Sequence, residues 1–178
     1  MITYHDTEWG VPVHDDRKLF EFIVLDAMQA GLSWRIVLNK RTNFEMALDG
    51  FDPAKIATYT DADLERLVAN EGIIRHRQKL AATITNARAA LAVQREFGSL
   101  DTYLWQFVDG RPTQNAWTEG GQIPAKSPVA ETMSNDLKKR GFKFVGPTIC
   151  YAFMQAAGLV NDHVTTCFRY EEVANPSP

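Results

Sequence analysis

The chain has 178 residues, 45% of them hydrophobic, with 19 basic against 22 acidic side chains and a formal net charge of -3. That length supports one domain, or two closely packed ones, with a real core. The slightly acidic balance argues against a protein that coats nucleic acid, though a local basic face would still act through its own field. The two cysteines, Cys150 and Cys167, suggest no disulfide framework. There is no apolar signal region at the N-terminus and no run long enough to span a bilayer, so a cytoplasmic protein without membrane association is expected.

Nearly every segment reads as helical. Asp15 is placed to cap a helix running to about Ala30, where Gly31 stops it. Its LFEFIVLDAM core is apolar almost all round, which predicts a central, buried helix. Ser33 is placed to cap the next helix, which carries Phe44, Met46 and Leu48. Asp52 followed by Pro53 is a cap with a first-turn proline, and Thr60 with Asp63 resembles a capping box before LERLV, in a helix ended by Gly72. An Ala-rich helix is predicted from about Arg75 to Ala92, and a short one over 98–108 with Leu104, Phe107 and Val108 as its apolar face. Residues 110–128 form the one clear loop. No strand-length alternation survives comparison with the helical periods, so an all-α single domain over 1–178 is expected.

The stretch from Leu137 to Cys167, LKKRGFKFVGPTICYAFMQAAGLVNDHVTTC, reads as a helix, a tight turn and a second helix, with the paired helices over 137–158. Gly141 can take a positive φ and stop the first helix; Gly146 and Pro147 open the second. Lys138, Lys139, Arg140 and Lys143 crowd the turn, and the N–H groups of the second helix can hold a phosphate. That is the form of a helix-hairpin-helix gripping a nucleic-acid backbone without reading sequence. An ordinary antiparallel helix pair with a solvated basic face is the other reading.

Further groups could carry chemistry. Tyr4-His5-Asp6-Thr7-Glu8-Trp9-Gly10 packs aromatic, imidazole and carboxylate groups near a terminus; it is either functional or a segment pinned by its two aromatics. Gln29-Ala30-Gly31-Leu32-Ser33-Trp34 sets Trp34 at a helix junction, either bordering a cleft or in the core. Ile73 to Lys79 puts three cations and His76 at a helix start, to meet phosphates or solvent. His163 and Cys167 are four apart and would share a helix face, so they could hold zinc. Two ligands are not a site; His5 is a reasonable third if the chain ends meet, while Cys150 belongs to the apolar run ICYAFM.

Taken together, YHDTEWGVP, LFEFIVLDAMQAGLSW, VLNKR, GIIRHRQKLAATITNARA, the LKKRGFKFVGPTICYAFMQAAGLVNDH segment and Cys167 resemble the 3-methyladenine DNA glycosylases of the constitutive bacterial type, over nearly the whole chain. The resemblance implies an all-helical, monomeric enzyme of the helix-hairpin-helix superfamily. Such an enzyme flips 3-methyladenine out of alkylated double-stranded DNA and hydrolyses its glycosidic bond, leaving an abasic site for base-excision repair. Tyr4, Trp9 and Trp34 would stack on the base, Asp26 would accept its hydrogen bonds and favour its charge, and Lys139, Arg140, Lys143 and Gly146 would hold DNA. No lysine falls in the pocket motifs, which argues for simple hydrolysis.

The same resemblance implies a structural zinc on His5, His163 and Cys167. The family's fourth ligand, a cysteine upstream of the Tyr-His-Asp motif, has no counterpart in a chain starting three residues before Tyr4. A truncated start, a vacant position, or a water or His14 in its place would account for that. The family's pocket glutamate is also replaced: Leu25-Asp26-Ala27-Met28-Gln29 keeps the carboxylate but shortens it by one methylene. A protein so changed could survive as a non-catalytic DNA-binding clamp or a metal-held interaction domain. The aromatic set argues against the clamp, and the basic hairpin against the interaction domain.

Overall fold

The computed structural model describes residues 1–175. The ten α-helices of these residues are α1 (Ile2–Thr7), α2 (Asp16–Gln29), α3 (Trp34–Ala47), α4 (Pro53–Ile56), α5 (Asp61–Ala69), α6 (Arg77–Phe97), α7 (Leu100–Trp105), α8 (Pro128–Lys139), α9 (Pro147–Ala156) and α10 (Phe168–Ala174). The all-α expectation holds. The strand pairing among these residues is a two-residue parallel contact of β1 (Thr113–Gln114), inside what the sequence reads as loop, with β2 (Val160–Asn161), in the stretch the sequence reads as helix, turn and helix. Among the described residues no helix is long and apolar enough to cross a membrane.

The helix α2 is central, as its all-round apolar character requires. Leu19, Phe20, Phe22, Ile23, Val24, Leu25 and Met28 are all buried, against α3, α6, α7 and α9. Local capping follows the sequence in part. Asp15 accepts from Lys18 N–H at 2.8 Å and Asp52 from Ala54 N–H at 2.9 Å. Ser33 stands at the N-cap of α3, but its hydroxyl makes no cap hydrogen bond among the described residues. Thr60 N–H and Oγ both donate to the Asp63 carboxylate at 2.9 Å.

Long-range polar ties set the helices against one another. The Asp16 carboxylate, in the first turn of α2, accepts from Leu100 N–H and Asp101 N–H at 2.9 Å and from the Gln94 amide at 2.7 Å. It caps α7 from another helix, so Asp16→Ala strands donors at a helix start. Urea unfolding should show a loss of about 2 kcal/mol, the scale of hydrogen bonds to a charged group; an unchanged midpoint would show that water replaces the carboxylate at no cost. Asn86, buried on α6, likewise pins the turn between α8 and α9: its amide donates to Lys143 C=O at 3.1 Å and accepts Lys143 N–H at 2.7 Å.

Candidate active site

Tyr4 of α1, Trp9 just beyond it, Asp26 and Gln29 on α2, Trp34 at the start of α3, and Ala152, Gln155 and Ala156 on α9 line one cavity of about 200 Å³. The four sequence-expected pocket residues Tyr4, Trp9, Asp26 and Trp34 are therefore brought together. Tyr4 and Trp34 meet at 5.5 Å between ring centroids, tilted 54°, so Trp34 borders the cleft. Ala152 and Ala156, one helical turn apart, leave room because they have no side chain beyond Cβ. Sequence reading missed Gln155; the available signal was the one amide side chain on the largely apolar α9.

Asp26 is 2% exposed, and burial holds its carboxyl well above the usual carboxylate range. Its Oδ2 and the Tyr4 hydroxyl are buried without a hydrogen-bond partner among the described residues. Buried polar atoms nearly always find partners, so two orphans at one cavity mark where a ligand's polar atoms belong. Burial, and next the nearby Asp26 and Glu8 carboxyls, push the Tyr4 phenol upward, so it is a donor.

Glu8 is committed elsewhere. Arg41 donates to both its oxygens at 2.9 and 2.7 Å and reaches Glu21 at 2.5 Å, while Lys18 adds contacts of 3.4 Å to Glu8 and 2.9 Å to Glu21. Against the upward push of burial, the Arg41 hydrogen bonds keep Glu8 below its usual range. This network ties the end of α1 to α2 and α3 and so fixes the wall that carries Tyr4.

His5, His163 and Cys167 also converge. Cys167 Sγ lies 3.7 Å from His5 Nε2 and 3.6 Å from His163 Nδ1, and the three ligand atoms all fall within 4.8 Å of one another. Tetrahedral edges are about 3.3–3.8 Å when zinc bonds are about 2.0–2.3 Å, so the donor set fits that ion. The route differs from the expected shared helix face: residues 163–167 form a turn closed by Cys167 N–H to Val164 C=O at 2.8 Å. Each imidazole is oriented through its other nitrogen, His5 Nδ1 on Asp6 at 2.7 Å and His163 Nε2 on the Trp9 carbonyl at 3.0 Å. His14 does not join them: it bonds Asp101 at 2.7 Å and stacks on Trp105.

The basic hairpin needs one correction. Lys138, Lys139 and Lys143 are exposed, but Arg140 is not available to a phosphate. Its Nε donates to Asp136 at 2.7 Å and its Nη1 to Glu96 at 2.8 Å, with the guanidinium over Phe97 and Tyr103 at 4.6 and 5.0 Å. Arg140 ties α8 to the end of α6 and to α7. At the other cationic run, Arg77 pairs with Glu65, and Lys79 is buried, donating to the carbonyls of Met28 and Ala30 at 2.9 and 2.5 Å.

The helical scaffold has clear counterparts among solved structures, and they define an all-α DNA glycosylase. A crystal structure of 3-methyladenine DNA glycosylase I, 54% identical, aligns with a TM-score of 0.92 over 94% of this chain and 92% of that one. The 3-methyladenine DNA glycosylase I from Staphylococcus aureus, 36% identical, gives the same score over 94% and 89%. The chain belongs to the methyladenine glycosylase family, whose model matches residues 1–170. DNA-3-methyladenine glycosylase 1 of Escherichia coli K12 is 51% identical over 169 residues, which is 95% of this chain and 90% of the relative.

Proposed function

We propose that the protein excises 3-methyladenine from alkylated double-stranded DNA by hydrolysing the N-glycosidic bond, as a monofunctional enzyme of base-excision repair acting as a cytoplasmic monomer of one domain. The observation that carries this is the pair of partnerless polar atoms, Asp26 Oδ2 and the Tyr4 hydroxyl, at an aromatic cavity. A flipped base stacks on Trp34 and Tyr4, each contact worth about 1–3 kcal/mol. Burial leaves Asp26 short of a counter-charge. A cationic methylated purine supplies one and strengthens the aromatic contact as well, whereas a neutral purine does neither. The alkylated base already leaves readily, so selection and electrostatic support suffice, and no residue lining the cavity is a lysine that could form a Schiff base.

The test is release of free 3-methyladenine from methylated duplex. Duplex binding without any release, at high protein concentration, would reduce the protein to a clamp. The lysines Lys139 and Lys143, with the α9 start at Gly146, would hold the backbone as a helix-hairpin-helix does. Lys139→Ala and Lys143→Ala should each weaken binding to all sequences alike and lower the log–log salt slope by roughly 0.9. Arg140→Ala should instead cost fold stability; equal salt slopes in all three variants and the wild type would turn this face away from DNA.

His5, His163 and Cys167 would hold a structural zinc, since Trp9 lies between them and the cavity wall it shares. Chelation is expected to lower Tm by several degrees and to reduce base release only through that loss of stability. Elemental analysis of wild type and Cys167→Ser gives the metal content; equal content in both would remove Cys167 from the ligand set.

A further inference from the structure

Asp162 is 1% exposed and accepts four hydrogen bonds of 2.7 Å. Asn115 Nδ2 and Trp117 Nε1 donate to its Oδ1; Tyr151 Oη and Gln155 Nε2 donate to its Oδ2. A carboxylate so surrounded only accepts, so the group that Gln155 turns toward it is its NH2. Gln155 also lines the base cavity, and with one amide N–H held by Asp162 its side-chain carbonyl is the acceptor it can offer there. A free glutamine amide adapts by turning over, and would then donate to a ligand as readily as accept from it. Turned over here, it would set its oxygen against the Asp162 carboxylate and lose a charge-assisted bond.

We propose that Asp162 locks Gln155 as a fixed hydrogen-bond acceptor toward the flipped base, and that this pair makes the pocket choose 6-amino purines over 6-oxo purines. The inference rests on the base-pocket reading above and names what that pocket rejects. An exocyclic amine donates to the Gln155 carbonyl. A 6-oxo group at the same point brings acceptor against acceptor, and the locked amide has no second orientation to offer. Gln155 is thus a specificity-determining residue and Asp162 a positioning residue. Asn115 and Trp117 give the 110–128 loop a hold on base choice, although neither of them lines the cavity.

The experiment is titration of the full chain with free 3-methyladenine and with its 6-oxo counterpart, 3-methylhypoxanthine, followed by tryptophan fluorescence. The wild type should prefer the amine by about tenfold or more, the scale of one hydrogen bond exchanged for an unpaired acceptor. Gln155→Met should weaken 3-methyladenine binding several-fold and bring the preference close to unity. Asp162→Asn, which removes the reason for the amide to keep one orientation, should lose the preference too. A folded variant at either position that keeps the wild-type preference overturns the lock while leaving the pocket reading intact. A wild type that binds both bases alike does the same, and one that binds neither overturns both.

Discussion

Asp26→Asn is expected to lower release of 3-methyladenine by roughly 100-fold or more, the loss found when one preorganised electrostatic partner is removed from an active site. The amide keeps the shape but carries no charge to answer a cationic base. The same substitution should stabilise the free protein. Burial raises the folded-state pKa of Asp26 above its unfolded value, so the folded state keeps a proton that the unfolded state gives up as pH rises. Wild-type stability from this group is therefore fully present below about pH 4 and falls as pH climbs toward the folded-state value. Asp26→Asn removes that dependence, so its Tm should exceed the wild type's by a few degrees at pH 7 and match it near pH 3.5. Thermal unfolding across that range, beside the release assay, decides. A variant less stable than wild type at neutral pH would mean that the carboxyl is held by groups other than its apolar surroundings.

Gly158→Ala is expected to cost about 3–5 kcal/mol, among the largest single-residue effects in the molecule. A Cβ at Gly158 would stand 2.4 Å from Pro12 N and Val11 C and 2.5 Å from Val11 O, all backbone atoms, and the residue has φ +73°. The neighbouring bonds Gly10 N–H to Gln155 C=O and Val13 N–H to Ala157 C=O, each 3.0 Å, lay the N-terminal arm on the end of α9 at this point. The arm carries Tyr4 and Trp9, so affinity for free 3-methyladenine should fall along with Tm, the latter by about 10 °C or more. Wild-type affinity in a destabilised Gly158→Ala protein would show that the arm's seat and the cavity are independent.

What the sequence made legible was local or compositional. The cap residues Asp15 and Asp52 bond the adjacent turn, and a segment such as LFEFIVLDAM has no polar face to expose, so it must be central. The elements that escaped notice are held from far away. The helix α1 buries no residue fully and owes its position to Arg41 and the α9 carbonyls; β1 and β2 exist through bonds such as Thr113 N–H to Leu159 C=O. The grouping of the pocket aromatics, and of His5 with His163 and Cys167, was readable from residue type and from the family resemblance. Their geometry was not: a turn, not a helix face, joins His163 to Cys167. Arg140 looked like one more cation in a basic run because Glu96 and Asp136, which hold it, lie on other turns of the chain. Gln155 stayed hidden because what gives it meaning, Asp162, is surrounded by donors from separate segments.

The closure of the two chain ends bears on how the protein is made. His163 meets the Trp9 carbonyl across a sequence separation of 154 residues, and Cys167 meets His5 across 162. Synthesis runs from the N-terminus at about 5–20 residues per second, so His5 and Trp9 wait roughly 8–30 s for the segment that meets them. Until that segment and α9 leave the ribosome, the cavity lacks the wall supplied by Ala152, Gln155 and Ala156, and the nascent chain cannot enclose a base. The ability to enclose a base is thus tied to synthesis of the segment through Cys167.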